Sequence, residues 1–177
     1  MIHLNDQYIG KKIGSLQTGK KIAEITGMII DPRDLSIPAL YIQERPISKV
    51  VKILHTADIR DSTGNIVVID SYDDLMELTD LPKLQEVINF GFELPGILVI
   101  NESKKKLGRV DSFGVIEPGW MVGKLNINKN FLKDFSTANM LIDRSQIVSI
   151  DNDKIVVKDA SNKNYKKVTI ATAKQNL

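Results

Sequence analysis

Two phrases decide the fold because they say nearly the same thing: Ile22-Ala23-Glu24-Ile25 followed by Ile30-Asp31-Pro32, and Leu107-Gly108-Arg109-Val110 followed by Ile116-Glu117-Pro118. The likeness extends outward. Ala39-Leu40-Tyr41-Ile42 is answered by Lys124-Leu125-Asn126-Ile127, Asp58-Ile59 by Gln146-Ile147, and Ile66-Val67-Val68 by Ile155-Val156-Val157. The offsets are 85 at Ile25/Val110, 86 at Pro32/Pro118, 85 at Leu40/Leu125 and 89 at Val67/Val156. The drifts fall between strand-like segments, where loops absorb insertions. A period this long exceeds that of solenoid repeats, so each copy reads as a complete small domain.

Most segments around these phrases favour strands. Ile22 to Asp31 is isoleucine-rich and interrupted by Gly27, which predicts a bulge or bend in a long strand. Leu107 to Glu117 repeats the pattern with Gly114. Ile37 to Gln43 is apolar on both alternating sets, so both its faces are expected to be covered. Lys49 to Leu54, Gly96 to Ile100, Trp120 to Asn128, Ile147 to Ile150 and Lys154 to Lys158 complete a set of short strands joined by tight turns. That grammar argues for small barrels, since closure removes exposed edges. One stretch differs. Ser71 to Leu78 offers a polar cap, acidic first-turn residues and good helix formers. After Pro82, Leu84, Val87 and Ile88 fall at helical spacing, with Gly91 as the stop. The tail after Lys166 is polar, with Val168-Thr169-Ile170 as a candidate edge strand.

The chain has 177 residues, 42% hydrophobic and 26% charged, the composition of a folded globular protein. Cysteine is absent, which removes disulfides, thiolate metal sites and cysteine nucleophiles. Met1 to Lys12 lacks an apolar core of the secretory type, and runs such as Ile97-Leu98-Val99-Ile100 are too short to span a bilayer. We therefore expect a cytoplasmic protein with no transmembrane segment. Residues 1–89 carry net −3 and residues 90–177 net +5, a mild polarity that salt screening reduces to ordinary surface scatter.

The repeated Gly/Ala-x-Ile/Val … Ile-x-Pro strand, the late Ile-Val-Val strand and the phrase Phe135-Ser136-Thr137-Ala138-Asn139-Met140-Leu141-Ile142-Asp143-Arg144-Ser145-Gln146-Ile147-Val148 resemble the PRC-barrel family, in its tandem two-copy bacterial form. The resemblance covers about residues 8–160. It implies an all-β fold of two tandem PRC-type β-barrels joined by a short helical connector. Residues 1–71 form the first unit, 72–92 the connector, 93–165 the second unit and 166–177 a polar tail. It also implies barrels that dock onto larger partners. One family member is the cytoplasmic domain of the photosynthetic reaction centre H subunit. Another is the C-terminal domain of a ribosome-maturation factor that binds a small-subunit ribosomal protein. From this sequence we expect neither the membrane helix of the first nor the separate N-terminal barrel domain of the second, so neither partner carries over.

Chemistry-bearing patterns are sparse. His3 and His55 have no companions at metal-ligand spacing. Asp73-Asp74 reads as a helix start and Asp151-Asn152-Asp153 as a turn, without the spacing of a calcium loop. Gly10-Lys11-Lys12 and Gly19-Lys20-Lys21 lack the Ser/Thr and flanking geometry of a phosphate loop, and no nucleophile elbow is present. Lysine clusters at 11–12, 20–21, 104–106 and 163–167 carry almost no interleaved aromatics of the kind that RNA readers stack on bases. We expect a non-enzymatic module without metal, cofactor or small-molecule substrate, serving protein interaction or assembly with an unknown protein partner or a second copy of itself. The alternative is a ribosome- or RNA-associated maturation factor. Candidate partner-binding residues are Trp120, Met121, Phe131, Phe135 and Arg144, although the reading that weighs more for the aromatics is that they fill the second unit's core or its seam with the connector.

Overall fold

Aliphatic and β-branched runs become strands wherever the chain can pair them. The computed structural model describes residues 2–44, 51–129 and 139–159. Strand β1 (Ile2–Leu4) is followed by β2 (Lys12–Ser15), β3 (Lys21–Ile29), β4 (Ala39–Glu44), β5 (Lys52–His55), β6 (Ile66–Ile69) and β7 (Leu75–Glu77). Helix α1 (Pro82–Asn89) separates these from β8 (Leu98–Asn101), β9 (Lys106–Ile116), β10 (Met121–Asn128), β11 (Met140–Asp143), β12 (Ile147–Ile150) and β13 (Lys154–Val157).

The strands form two sheets, ordered β6-β2-β3-β4-β5-β7 and β11-β10-β9-β8-β13-β12, with β1 added to β9. The duplication is visible in this order. In each copy three antiparallel steps lead to a 3-10 turn, Thr56–Asp58 or Arg144–Gln146. The last strand then returns parallel to the copy's first, β6 beside β2 and β13 beside β8. The chain is β-rich with two sheets, and among the described residues neither hydrogen-bonded path closes on itself.

Register makes the repeat quantitative. Ile25 pairs with Ile42 and Val110 with Ile127, after which one residue, Thr26 or Asp111, is bulged out before pairing resumes at Gly27 and Ser112. The bulges therefore sit at the same position, 85 residues apart, and both extra residues are exposed. Gly27 adjoins its bulge as its sequence setting suggests. Gly114 serves a different need: a Cβ there would lie 2.7 Å from Ile2 Cγ2, where β1 crosses β9. The last strands correct the sequence alignment by one residue. Ile13 pairs with Val67 and Val99 with Ile155, so Val67 corresponds to Ile155 at an offset of 88, not to Val156. Successive strand residues face opposite ways, so the slip exchanges core for surface. Val67 and Ile155 are both buried, while Val156 is only half-buried.

The segment after Ser71 opens with a 3-10 turn, Tyr72–Asp74, fastened by a reciprocal capping box between Ser71 and Asp74, and a second 3-10 turn spans Leu78–Asp80. Leu75 to Glu77 then pairs with β5, so cross-strand bonding overrides the helix propensity of Leu, Met and Glu. Helix α1 begins at Pro82 and is followed by Gly91 at φ 60°, a left-handed stop. Its buried Leu84 and Val87 pack on Ile29, Ala39 and Ile53 of the first sheet, contributing about 1.5–3 kcal/mol each. This is why both faces of β4 are apolar: Leu40 and Ile42 enter the main core, while Ala39 and Tyr41 meet the helix. The main core runs unbroken through both copies, from Ile13, Ile25 and Leu40 to Val110, Leu125 and Ile155.

Gly108 is the tightest point of that packing. Its φ is 145°, and a Cβ would lie 2.4 Å from the Asn128 carbonyl oxygen and 2.8 Å from Ile127 Cγ2. Gly108→Ala is expected to destabilise the protein by about 3 kcal/mol in urea denaturation. Gly10→Ala, at φ 82° with open space around it, should cost about 1 kcal/mol.

Candidate functional site at the seam

The two copies meet through their matching loops. The Leu35 carbonyl accepts from the Val122 N–H at 2.9 Å, and the Trp120 carbonyl accepts from the Ile37 N–H at 2.7 Å. Ser36 and Met121 form the antiparallel bridge between these bonds. Leu35 and Trp120 are 85 residues apart, as are Ile37 and Val122, so each copy offers the same backbone groups to the other. This is the reciprocity of a two-fold dimer interface, built into one chain. Leu35 and Trp120 also share a left-handed backbone, φ 56° and 42°, and both side chains are buried.

Polar groups collect on one side of this bridge. Trp120 packs against Tyr8, with ring centroids 5.4 Å apart. Tyr8 is fully buried, with the His3 ring edge-on and the Lys11 Nζ 4.5 Å from its ring centroid. Burial pushes the Tyr8 phenol well above its ordinary range, and the adjacent Glu117 carboxylate pushes the same way. His3 Nε2 lies 4.0 Å from the Glu117 carboxylate. The chain's first residues thus plug the second copy from outside: β1 pairs with β9, and the Asn5 amide oxygen accepts from the Phe113 N–H at 3.0 Å.

The loop after β3 is held by charge. The nearly buried Asp31 carboxylate accepts from the Arg33 backbone N–H at 2.9 Å and from Arg33 Nε at 2.8 Å. These bonds hold the Asp31 carboxyl below the usual carboxylate range despite its burial. The Arg33 guanidinium in turn stands 5.8 Å from the Phe90 ring at the end of α1. Pro32 to Leu35 form one wall of a cavity of about 290 Å³ whose other wall is Arg144 with Ile147 to Ile150. A second cavity of about 290 Å³ is mainly apolar and lies among Ile9, Met28, Tyr41, Phe92, Leu94 and Phe113.

The candidate partner-binding residues separate accordingly. Trp120 is 7% exposed and fastens the seam, so its ring is not offered to solvent. Met121 is half-buried on the bridge, and Arg144 lines the first cavity. Phe131 and Phe135, like the tail from 166 to 177, lie outside the described residues. Sequence reading missed Ile9, Met28 and Phe92, because the groove that unites them joins segments far apart in the chain. Among the described residues no group of three or more His, Asp or Glu is placed to hold a metal ion, and no helix is long and apolar enough to cross a membrane. No family model matches the chain, and no curated protein matches it.

The Asp31–Arg33 pair gives a pH signature. A carboxylate with a depressed folded-state pKa contributes stability that is complete above its unfolded value, about 4, and is lost as pH falls through the lower folded value. Wild-type stability should therefore decline as pH drops below about 4. Asp31→Asn should show a shallower decline, the remaining slope coming from Asp70 and Asp143, whose carboxyls are also held low. Urea midpoints measured across the acid range check this; parallel curves for the two proteins would contradict it.

Proposed function

We propose that the chain is a tandem PRC-type protein acting as a non-enzymatic docking module, each six-strand copy standing for one small barrel. The observation that carries the reading is the apolar groove beside the seam. Ile9 lines it while remaining 50% exposed, and Leu4 and Ile2, 44% and 48% exposed, stand on the strand that leads into it. Exposed aliphatics around a concave apolar surface suit the anchoring side chain of a protein partner. The repeated topology supports a scaffold role, since one mainly aliphatic core runs through both copies and ties them together.

Ile9→Glu should leave the fold intact, because the side chain is already half in water, and should lower partner capture at least tenfold in quantitative affinity purification from native cells, about 1.4 kcal/mol. Leu16→Glu, at an exposed turn away from the groove, should leave capture unchanged. The docking reading fails if wild type and Ile9→Glu recover the same proteins in the same amounts. It fails equally if the protein is strictly monomeric and no specific partner is recovered.

A second reading, association with RNA or ribosomal subunits, draws on one feature. The two equivalent hairpins both carry exposed lysines, Lys20 and Lys21 where β3 begins, and Lys104, Lys105 and Lys106 where β9 begins. Phosphate contacts would make such association salt-sensitive. Absence of co-sedimentation at low salt would remove it.

A further inference from the structure

Strand β11 is the second copy's counterpart of β5. Leu40 pairs with Leu54 as Leu125 pairs with Ile142, and Tyr41 with Ile53 as Asn126 with Leu141, so the two strands match at an offset of 88. Their outer edges differ. On β5 the edge is taken by β7, antiparallel, with Leu54 opposite Leu75 and Ile53 opposite Met76. Helix α1 covers the outer face there, and Ile53 is fully buried. Among the described residues β11 pairs only with β10, and Leu141, in the place of Ile53, is 52% exposed. An edge strand with open backbone groups and an aliphatic side chain in water is a template for another strand.

The first copy also shows where the added strand comes from. The chain leaves β6 and β13 in the same way: the Ile69 carbonyl accepts from the Leu16 N–H at 2.9 Å, and the Val157 carbonyl from the Glu102 N–H at 3.0 Å. Asp70 to Asp74, five residues, then suffice to reach β7 on the β5 edge. Past β13 the sequence runs on from Lys158 through Lys167, ten residues, to the β-favouring run Val168-Thr169-Ile170. Residues 160–177 lie outside the described ones.

We propose that this C-terminal segment docks antiparallel on the β11 edge, with Val168 opposite Ile142, Thr169 opposite Leu141 and Ile170 opposite Met140. The alternation of the segment fits that edge. Met140 and Ile142 are buried, so Val168 and Ile170 fall on the core side, and Thr169 falls beside exposed Leu141. Val168 thereby takes the place of Leu75, which is buried beside Leu54 in the first copy. A slip by one residue would turn both aliphatics outward. Tethering favours this occupant over a strand from another molecule, because a short linker gives an effective concentration of about millimolar. The apolar groove plays no part in the contact.

The test is NMR of isotope-labelled full-length protein, reading Overhauser contacts between residues 168–170 and 140–142 and hydrogen exchange of the β11 amides that point away from β10. Direct cross-strand contacts between Thr169 and Leu141 are expected. Deletion of residues 160–177 should speed exchange of those amides at least tenfold. Val168→Asp combined with Ile170→Asp, which keeps the chain length and sets carboxylates against the core, should do the same and covers the case in which the deletion does not fold. The proposal is overturned if residues 168–170 contact another surface, or if folded variants exchange at β11 as wild type does, which would leave the edge open to a different protein. It is overturned too if a mixture of differently labelled molecules shows the contacts only between chains, since a second copy would then hold the edge.

Discussion

Two backbone hydrogen bonds organise the molecule: Val122 N–H to the Leu35 carbonyl and Ile37 N–H to the Trp120 carbonyl. Because partners and offsets are reciprocal, any geometry that satisfies one bond places the other. The cost is visible in the left-handed backbone of Leu35 and Trp120, about 1–2 kcal/mol for each residue that carries a Cβ. Such conformations persist only where the surroundings enforce them. Here both side chains are driven into the shared core, and the strands that flank them are pinned by their sheets. Small units bury a smaller fraction of their surface than large ones, and the common core adds buried area that neither copy has alone.

On this symmetric frame the features that bear on function are asymmetric. Among the described residues only the second sheet receives an added strand, β1, and Gly114 makes room for it. Only the first sheet is covered by α1. The same turn position carries a satisfied threonine in one copy and an arginine with a sealed, unpartnered nitrogen in the other. Duplication supplies two equivalent surfaces, and their divergence leaves an apolar groove lined by Ile9, Met28 and Phe92 and a separate cavity between residues 32–35 and Arg144.

Much of this architecture was legible in the sequence because it rests on local chemistry. The aliphatic phrases mark the strands, Gly27 marks its bulge, and Pro82 and Gly91 bracket the helix. The errors have a common physical origin in long-range pairing. Ser71 to Leu78 carries a good helix signal, yet β5 supplies bonding partners that turn most of it into strand. Ile-Val-Val triads look alike in either register, and only the parallel pairing to β2 and β8 shows which residue faces the core. No local signal sends Ile2 to Leu4 to the far copy. Arg144 was visible as a candidate, but its unpartnered nitrogen exists only once the chain is folded around it.

The central claim is that the reciprocal bridge and shared core make the two copies one cooperative unit. Differential scanning calorimetry, run alongside the fluorescence of Trp120, the sole tryptophan, tests it directly. The account predicts a single transition in which calorimetric and van't Hoff enthalpies agree and the Trp120 signal changes at the same temperature. Two separable transitions, or a Trp120 signal that changes before the main heat absorption, would contradict it.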